Sequence, residues 1–264
     1  MYTLITGASS GIGKALALEC ASRGMNVLIV ALPDNGLFDL EKEIGEKFRV
    51  KCYAFGIDLS QHCAATVVYE WVKKNNYQVN MLINNVGIGS KGKFEKISTE
   101  FYYTQINLNI TAMCIMTRLF IDDLRTHAPA HILNVGSLGG FFVLPEKTVY
   151  AATKAFVFSF SQSLRTELKD AGITVSVICP GGTDTNPNTT AMNRDLKGLA
   201  KVSILSSEDV AKKAVTEMLK GKSIIIPGSI NKFNYILSRI LPRFIQNLFI
   251  GRAFKHVKKH GYSS

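Results

Sequence analysis

Short runs of apolar residues, most of them four to six long and rich in Val and Ile, alternate along the chain with longer stretches whose apolar positions return every three or four residues. The short runs predict strands at residues 2–6, 26–30, 51–55, 81–84, 131–135, 174–179 and 223–226. The longer stretches predict helices near residues 12–23, 37–48, 61–75, 99–125, 149–171 and 207–219. Strands that are apolar on both faces and alternate with helices specify parallel strands, because each crossover lays a helix on the sheet. The pattern therefore predicts an α/β fold, a doubly wound parallel sheet of about seven strands. One domain covers residues 1–228, and residues 229–264 form an amphipathic extension. Between Thr183 and Ser206 the periodicity fades into polar residues around Pro187, as expected of a long lid or binding loop.

The composition agrees. Of 264 residues 47% are apolar and 19% charged, so the chain is not kept disordered by charge, and 21 Gly with 7 Pro are far too few for a collagen-like repeat. The net charge of +11 gathers at the end. From Leu219 to Ser264 nine residues are Lys or Arg and none is acidic, while the first 218 residues are close to neutral. Charge confined to a tail, with no nucleic-acid motif beside it, does not mark a nucleic-acid partner. Cys20, Cys52, Cys63, Cys114 and Cys179 are odd in number, scattered and without metal-ligand spacing. They predict neither a disulfide framework nor a metal site, but a reducing compartment and inert thiols. No charged leader precedes the first strand and no uncharged apolar run reaches membrane-spanning length, so the expectation is a soluble, cytoplasmic protein.

Three places carry candidate chemistry. The first strand runs through Thr6-Gly7-Ala8-Ser9-Ser10-Gly11-Ile12-Gly13 straight into a helix. Glycines there permit a tight turn, close approach of a pyrophosphate and close helix–strand packing, and the helix N-terminus offers unpaired N–H groups. A ligand-free glycine turn is the alternative, since this spacing is not the commonest dinucleotide fingerprint. Tyr150 and Lys154, four residues apart on a helix, share one face. An adjacent ammonium favours a phenolate, which predicts a lowered pKa and makes Tyr150 a candidate general acid/base. Ser137 closes the preceding strand, where the carboxyl ends of parallel strands form a ligand crevice, and its hydroxyl is placed to bond the reacting oxygen.

In these motifs the chain resembles the short-chain dehydrogenases/reductases. The resemblance extends to Asn84-Asn85-Val86-Gly87 after the fourth strand, Asn107 in the next helix and Pro180-Gly181-Gly182-Thr183 after the sixth strand, and it covers nearly everything up to about Gly228. It implies a Rossmann-type fold and an oxidoreductase that interconverts a ketone and a secondary alcohol by hydride transfer with NAD(P)(H). The catalytic set it implies is Asn107, Ser137, Tyr150 and Lys154. Tyr150 passes the proton, Ser137 orients the oxygen, Lys154 also binds the nicotinamide ribose, and Asn107 holds a water that relays protons to Lys154. The implied cofactor-binding residues are Gly7, Ser9, Ser10, Gly11, Ile12, Gly13, Asp58 at the adenine, Asn84, Gly87, Tyr150, Lys154, Pro180, Gly181 and Thr183, with no metal. Resemblance also implies a homodimer or homotetramer built through the helices beginning near Thr99 and Val149. Val86 replaces the more usual alanine, and Gly136 a common serine.

Cofactor choice turns on the end of the second strand, where Ala31-Leu32-Pro33-Asp34 offers neither the acid that bonds NAD ribose nor an arginine for a 2′-phosphate. Nothing at position 31 opposes the phosphate and the resembling reductases mostly use NADP(H). NADP(H) is therefore favoured, NAD(H) is not excluded, and Asp34 is expected to be a solvated turn residue. The Phe141-Phe142-Val143-Leu144-Pro145 segment predicts an apolar substrate wall, or packing on the lid or a subunit neighbour. Asn186, Asn188, Thr189 and Thr190 add hydrogen-bonding groups to the lid. The tail, with Phe233, Tyr235, Phe244 and Phe249 among its basic residues and a break near Pro242, is expected to pack on the protein's own body; the alternatives are a cap over the substrate pocket, a second subunit and an anionic membrane surface. Two other readings compete with an enzyme: a nucleotide-binding regulator without catalysis, and a peripheral membrane protein.

Overall fold

The computed structural model describes residues 1–185 and 203–240. Seven parallel strands form one sheet in the order β3-β2-β1-β4-β5-β6-β9. They are β1 (Tyr2–Thr6), β2 (Asn26–Ala31), β3 (Cys52–Gly56), β4 (Val79–Asn84), β5 (Ala130–Val135), β6 (Ile173–Ile178) and the short edge strand β9 (Ile224–Ile225). The chain works outward from β1 in both directions, so the strand order reverses between β1 and β4. A crevice for a ligand opens there, at the carboxyl ends of the strands.

Adjacent residues on each strand face opposite sides of the sheet, and both sides are buried. Leu4 pairs with Leu28 and Leu82, and Leu82 with Ile132, on one face. Helices α3 (Ala64–Lys74) and α5 (Ala112–Thr126) cover that face with Val68, Val72, Met116 and Phe120. Ile5, Ile29, Ile83 and Leu133 occupy the other, under α1 (Gly11–Ser22), α2 (Asn35–Lys47) and α7 (Ser207–Leu219). The doubled apolar residues in each predicted strand therefore serve two cores. Each fully buried Leu or Ile contributes about 1.5–3 kcal/mol.

The helix predicted over 99–125 is interrupted. It consists of α4 (Thr99–Ile106), a π-helical turn at Asn107–Thr111, and α5. Ser98 starts α4 by accepting the Phe101 N–H at 3.2 Å. A π turn inserts an extra residue and changes which side chains face inward, and such turns concentrate at functional sites. The helix α6 (Thr148–Glu167) ends earlier than predicted and passes through a short 3-10 turn at Lys169–Ala171. The segment expected to be a lid begins and ends on a two-strand parallel ladder, with β7 (Thr183–Asp184) against β8 (Leu205–Ser206). Asn186, Pro187, Asn188, Thr189 and Thr190 lie outside the described residues.

The start of the extension is the helix α8 (Ser229–Ile240). Its Asn231 is buried and donates to Ser203 O at 3.0 Å and Pro227 O at 3.1 Å, while the Tyr235 ring packs edge-on against Phe141. Packing on the protein's own body is thus observed for this helix. Pro242, Phe244, Phe249 and the basic residues after Arg239 lie outside the described residues.

Candidate active site

A cleft of about 760 Å³ lies over the carboxyl ends of β1, β4, β5 and β6. One end is built by the glycine turn. Gly7 and Gly11 have φ of +66° and +52°, left-handed values that a side chain would strain. A methyl added at Gly13 would run into Gly7 O and lie 2.5 Å from Asn85 Nδ2, so Gly13 sets how closely α1 approaches β1. Ser10, the N-cap of α1, makes no side-chain capping bond. The first-turn N–H groups of α1 are therefore left for a ligand at the cleft, which fits a pyrophosphate.

Gly7, Ser9, Ser10, Gly11, Ile12, Gly13, Asp58, Gly87, Ser137, Tyr150, Lys154, Pro180, Gly181 and Thr183 all line this cleft. Two expected residues do not. The amide of Asn84 is buried below the cleft and donates to Thr117 Oγ1 at 3.0 Å and Asn134 Oδ1 at 2.9 Å. Its neighbour Asn85 lines the cleft instead and holds the glycine turn, donating to Thr6 O at 2.9 Å and Gly7 O at 3.0 Å. Strand alternation explains the exchange, since Asn84 still belongs to β4 and points into the sheet packing.

Asn107 does not line the cleft and donates to Ser60 O at 3.2 Å. Asn109 takes the position expected of it. Buried within the π turn, Asn109 accepts from Ile88 N at 2.8 Å and donates to Ile88 O at 3.0 Å and Thr153 Oγ1 at 2.9 Å. A methyl on Gly87 would lie 2.8 Å from Asn109 Oδ1 and 3.5 Å from Lys154 Nζ, which places the asparagine beside the lysine. The signal available in the sequence was the pair Asn107-Leu108-Asn109.

At the other end of the cleft, Ser137 Oγ accepts from Gly139 N at 3.0 Å, and its hydroxyl stands close enough to Tyr150 to pull the phenol's pKa down. Lys154 Nζ donates to Val135 O at 2.9 Å and lies 5.9 Å from the centre of the Tyr150 ring. Burial pushes the Tyr150 pKa up, against a downward pull from Ser137, with the Cys179 thiol adding a smaller upward push. The lowering expected from Lys154 is not seen: burial is the largest influence on Tyr150, and it also brings Lys154 down to about 8. Tyr150 therefore holds its proton at neutral pH.

Asp58 accepts from Ser60 N at 2.9 Å and Gln61 Nε2 at 3.2 Å, and the Ser60 N–H holds its pKa down. Asp34 caps α2 by accepting from Leu37 N at 3.0 Å. At the end of β2 the cleft is lined by Ala31 and Leu32.

A family model described as short chain dehydrogenase matches residues 2–197. The very-long-chain 3-oxoacyl-CoA reductase-A of Danio rerio is 36% identical over 185 residues, covering 68% of this chain and 57% of that protein, so the chain spans little more than half of that relative's length. Among solved structures, a 7beta-hydroxysteroid dehydrogenase superposes with a TM-score of 0.83 at 25% identity, over 95% of this chain and 96% of the other. A short-chain dehydrogenase from Sphingobium yanoikuyae, in complex with NADPH, superposes with a TM-score of 0.77 at 25% identity, over 100% and 96%.

Proposed function

The chain belongs to the short chain dehydrogenase family, and from that premise we propose that it reduces a ketone to a secondary alcohol with a nicotinamide dinucleotide. The observation that carries this reading is the convergence of Ser137, Tyr150 and Lys154 with the uncapped N-terminus of α1 in one cleft. The turn from Gly7 to Gly13 would hold the pyrophosphate, Asp58 and Asn85 stand toward the adenine side, and Lys154, Pro180, Gly181 and Thr183 stand toward the nicotinamide side. The bound dinucleotide supplies the hydride that goes to the carbonyl carbon. Tyr150, whose pKa lies above its ordinary value and which is therefore protonated at neutral pH, gives its phenolic proton to the carbonyl oxygen, and Ser137 holds that oxygen in line. Lys154, at about 8, exchanges protons readily near neutral pH and restores the tyrosine from solvent.

NADP(H) is the preferred cofactor in this reading and NAD(H) an accepted one. Ala31 and Leu32 at the end of β2 present no carboxylate to a 2′-phosphate, and the carboxylate of Asp34 is engaged as a helix cap. The substrate is apolar around its ketone. Val86, Ile88, Leu108, Leu138, Phe142 and Leu144 line the cleft, a surface suited to the acyl chain of a 3-oxoacyl compound, the class named for the zebrafish relative.

The working form is a homo-oligomer paired through α4, α5 and α6, which expose Tyr103, Ile106, Ile115 and Phe156. The extension rests peripherally on anionic lipid, a contact that its acid-free charge run supports, as does the outward stripe of Phe233, Ile236, Leu237 and Ile240 on α8. No helix among the described residues is long and apolar enough to cross a membrane. Five free thiols fit a cytoplasmic location.

The test is nicotinamide fluorescence on titrating the purified protein with NADPH and NADH, for wild type and Lys154→Ala, followed by a carbonyl screen. Tight NADPH binding weakened by the substitution, together with turnover of a 3-oxo ester, supports the enzyme. Binding without turnover favours a nucleotide-responsive regulator, and binding of neither cofactor sinks the oxidoreductase. Flotation with phosphatidylserine vesicles, compared between wild type and Phe233→Glu, tests the lipid contact.

A further inference from the structure

The charged residues among those described around the cleft are Asp58, Lys147 and Lys154. Asp58 belongs to the far end, and Lys154 is committed to Val135 O. Lys147 is left as the cation beside the space where Tyr150 meets substrate. It stands three residues before Tyr150, one turn away at the start of α6, and shares the lining with Phe142 and Leu144.

Nothing about this position favours a lysine for stability. The residue is the N-cap of α6 and makes no capping bond; a cation there meets the positive end of the helix dipole. Glu146, just before it, is held at φ +63°, a left-handed backbone that costs about 1 kcal/mol or more for a non-glycine residue. The Gly92 N–H donates to Glu146 O at 2.9 Å and ties the segment bearing Lys91 and Lys93 to this turn. Lys147 keeps an exposed surface, yet its surroundings lower its pKa, through burial first and then through repulsion by Lys91. A cation set beside a like charge and at the positive end of a helix dipole, at the mouth of a reaction site, is a local conflict of the kind that function retains. A bound anion would be attracted by Lys147, by Lys91 and by the helix N-terminus together.

We infer that Lys147 is a specificity-determining residue that binds an oxyanion carried by the substrate, a carboxylate or phosphate group set beyond its ketone. The inference rests on the proposed ketone reduction and deepens it. One helical turn, roughly 5 Å, separates Lys147 from Tyr150 and the flexible lysine side chain can reach across it, so the anion stands within a few bonds of the reacting carbon. A carboxylate a few bonds from the ketone meets that span directly, and a coenzyme phosphate reaches it only if the thioester arm folds back.

The experiment compares four reductions with NADPH in wild type, Lys147→Gln and Lys147→Arg. The substrates are 3-oxooctanoate, methyl 3-oxooctanoate, 3-oxooctanoyl coenzyme A and the 3-oxooctanoyl thioester of N-acetylcysteamine. Loss of one charged hydrogen bond predicts that Lys147→Gln lowers kcat/KM for the carboxylate relative to its ester by about tenfold or more, through KM, and that Lys147→Arg restores most of it. If the ratio that falls is coenzyme A over N-acetylcysteamine, the oxyanion is a phosphate and the inference stands with that source. Turnover of the esters with neither ratio moving overturns it and leaves the reductase reading intact. Should wild type reduce none of the four, the reductase reading fails, and calorimetric titration with 3-oxooctanoate decides this inference separately. Heat that Lys147→Gln abolishes supports it, and no heat overturns it.

Discussion

The side-chain amide of Asn109 donates to Thr153 Oγ1 at 2.9 Å, and the Thr153 hydroxyl in turn donates to the Tyr150 carbonyl at 2.8 Å. The π turn is thereby stitched to the start of α6, whose first two turns carry Tyr150 and Lys154. The same asparagine clamps the backbone of Ile88 from the opposite wall. One buried side chain thus sets the width of the cleft between the segment after β4 and the helix bearing Tyr150.

Replacing Asn109 with alanine orphans Ile88 N and takes one of two partners from Ile88 O, which still accepts from Gln105 Nε2 at 3.1 Å, and from Thr153 Oγ1, which still donates to Tyr150 O. The expected cost is about 1–3 kcal/mol of stability, the cost of one orphaned buried group. Turnover should fall by about tenfold or more as the cleft walls lose register. Asn107→Ala removes a single bond to Ser60 O and should cost about 1 kcal/mol or less. Urea unfolding and steady-state reduction on the two variants check the contrast; equal effects would return the functional role to Asn107.

The contrast also shows where sequence reasoning stops. Strand positions were legible because every parallel strand is buried on both faces and so reads as an unbroken apolar run, and the glycine turn because Gly7, Gly11 and Gly13 each answer a steric demand. Periodicity at 3.6 residues carries no mark of a π turn, so residues 99–125 read as one helix and nothing in that pattern separates Asn107 from Asn109. Asn84 and Asn85 are hard to tell apart for a related reason, since the last strand residue and the first loop residue differ only in which way the backbone turns. The direction of the Tyr150 shift depends on burial, and burial of a side chain at a helix start is a tertiary property.

Leu32 is about half exposed at the adenine end of the cleft, directly after β2. A charge placed there acts on the ribose substituent with little disturbance to the core. Leu32→Arg is expected to tighten NADPH over NADH by on the order of tenfold, and Leu32→Asp to reverse the preference by a similar factor, tenfold being 1.4 kcal/mol. Fluorescence titrations with both reduced cofactors decide it. Identical ratios in the two variants would place the 2′-phosphate elsewhere.

Gly13 allows no side chain at all. An added methyl would run into Gly7 O, and the neighbouring atoms are backbone of the turn, which cannot step aside alone. Gly13→Ala therefore forces α1 away from β1, at an expected cost of about 1–3 kcal/mol for overpacking. Because the same shift moves the α1 N-terminus, dinucleotide affinity should fall together with stability. A variant that keeps wild-type NADPH affinity would separate the turn from cofactor binding.

Burying Lys154 makes its contribution to stability depend on pH. Its pKa falls from 10.5 to about 8 on folding, so between those values the unfolded chain binds more protons than the folded one. Folding stability from this group then rises with pH across that window, by up to about 1.4 kcal/mol per unit. Tyr150, Cys20 and Cys179 are shifted upward and act in the opposite sense at high pH, so the total curve does not isolate the lysine. The difference between wild type and Lys154→Met does, because the other groups are shared. Below about pH 8 the methionine variant should be the more stable of the two, and its advantage should shrink steadily from pH 8 to pH 10. Urea unfolding at half-unit pH intervals reads this directly, and a difference that stays flat would mean that Lys154 keeps an ordinary pKa in the folded protein.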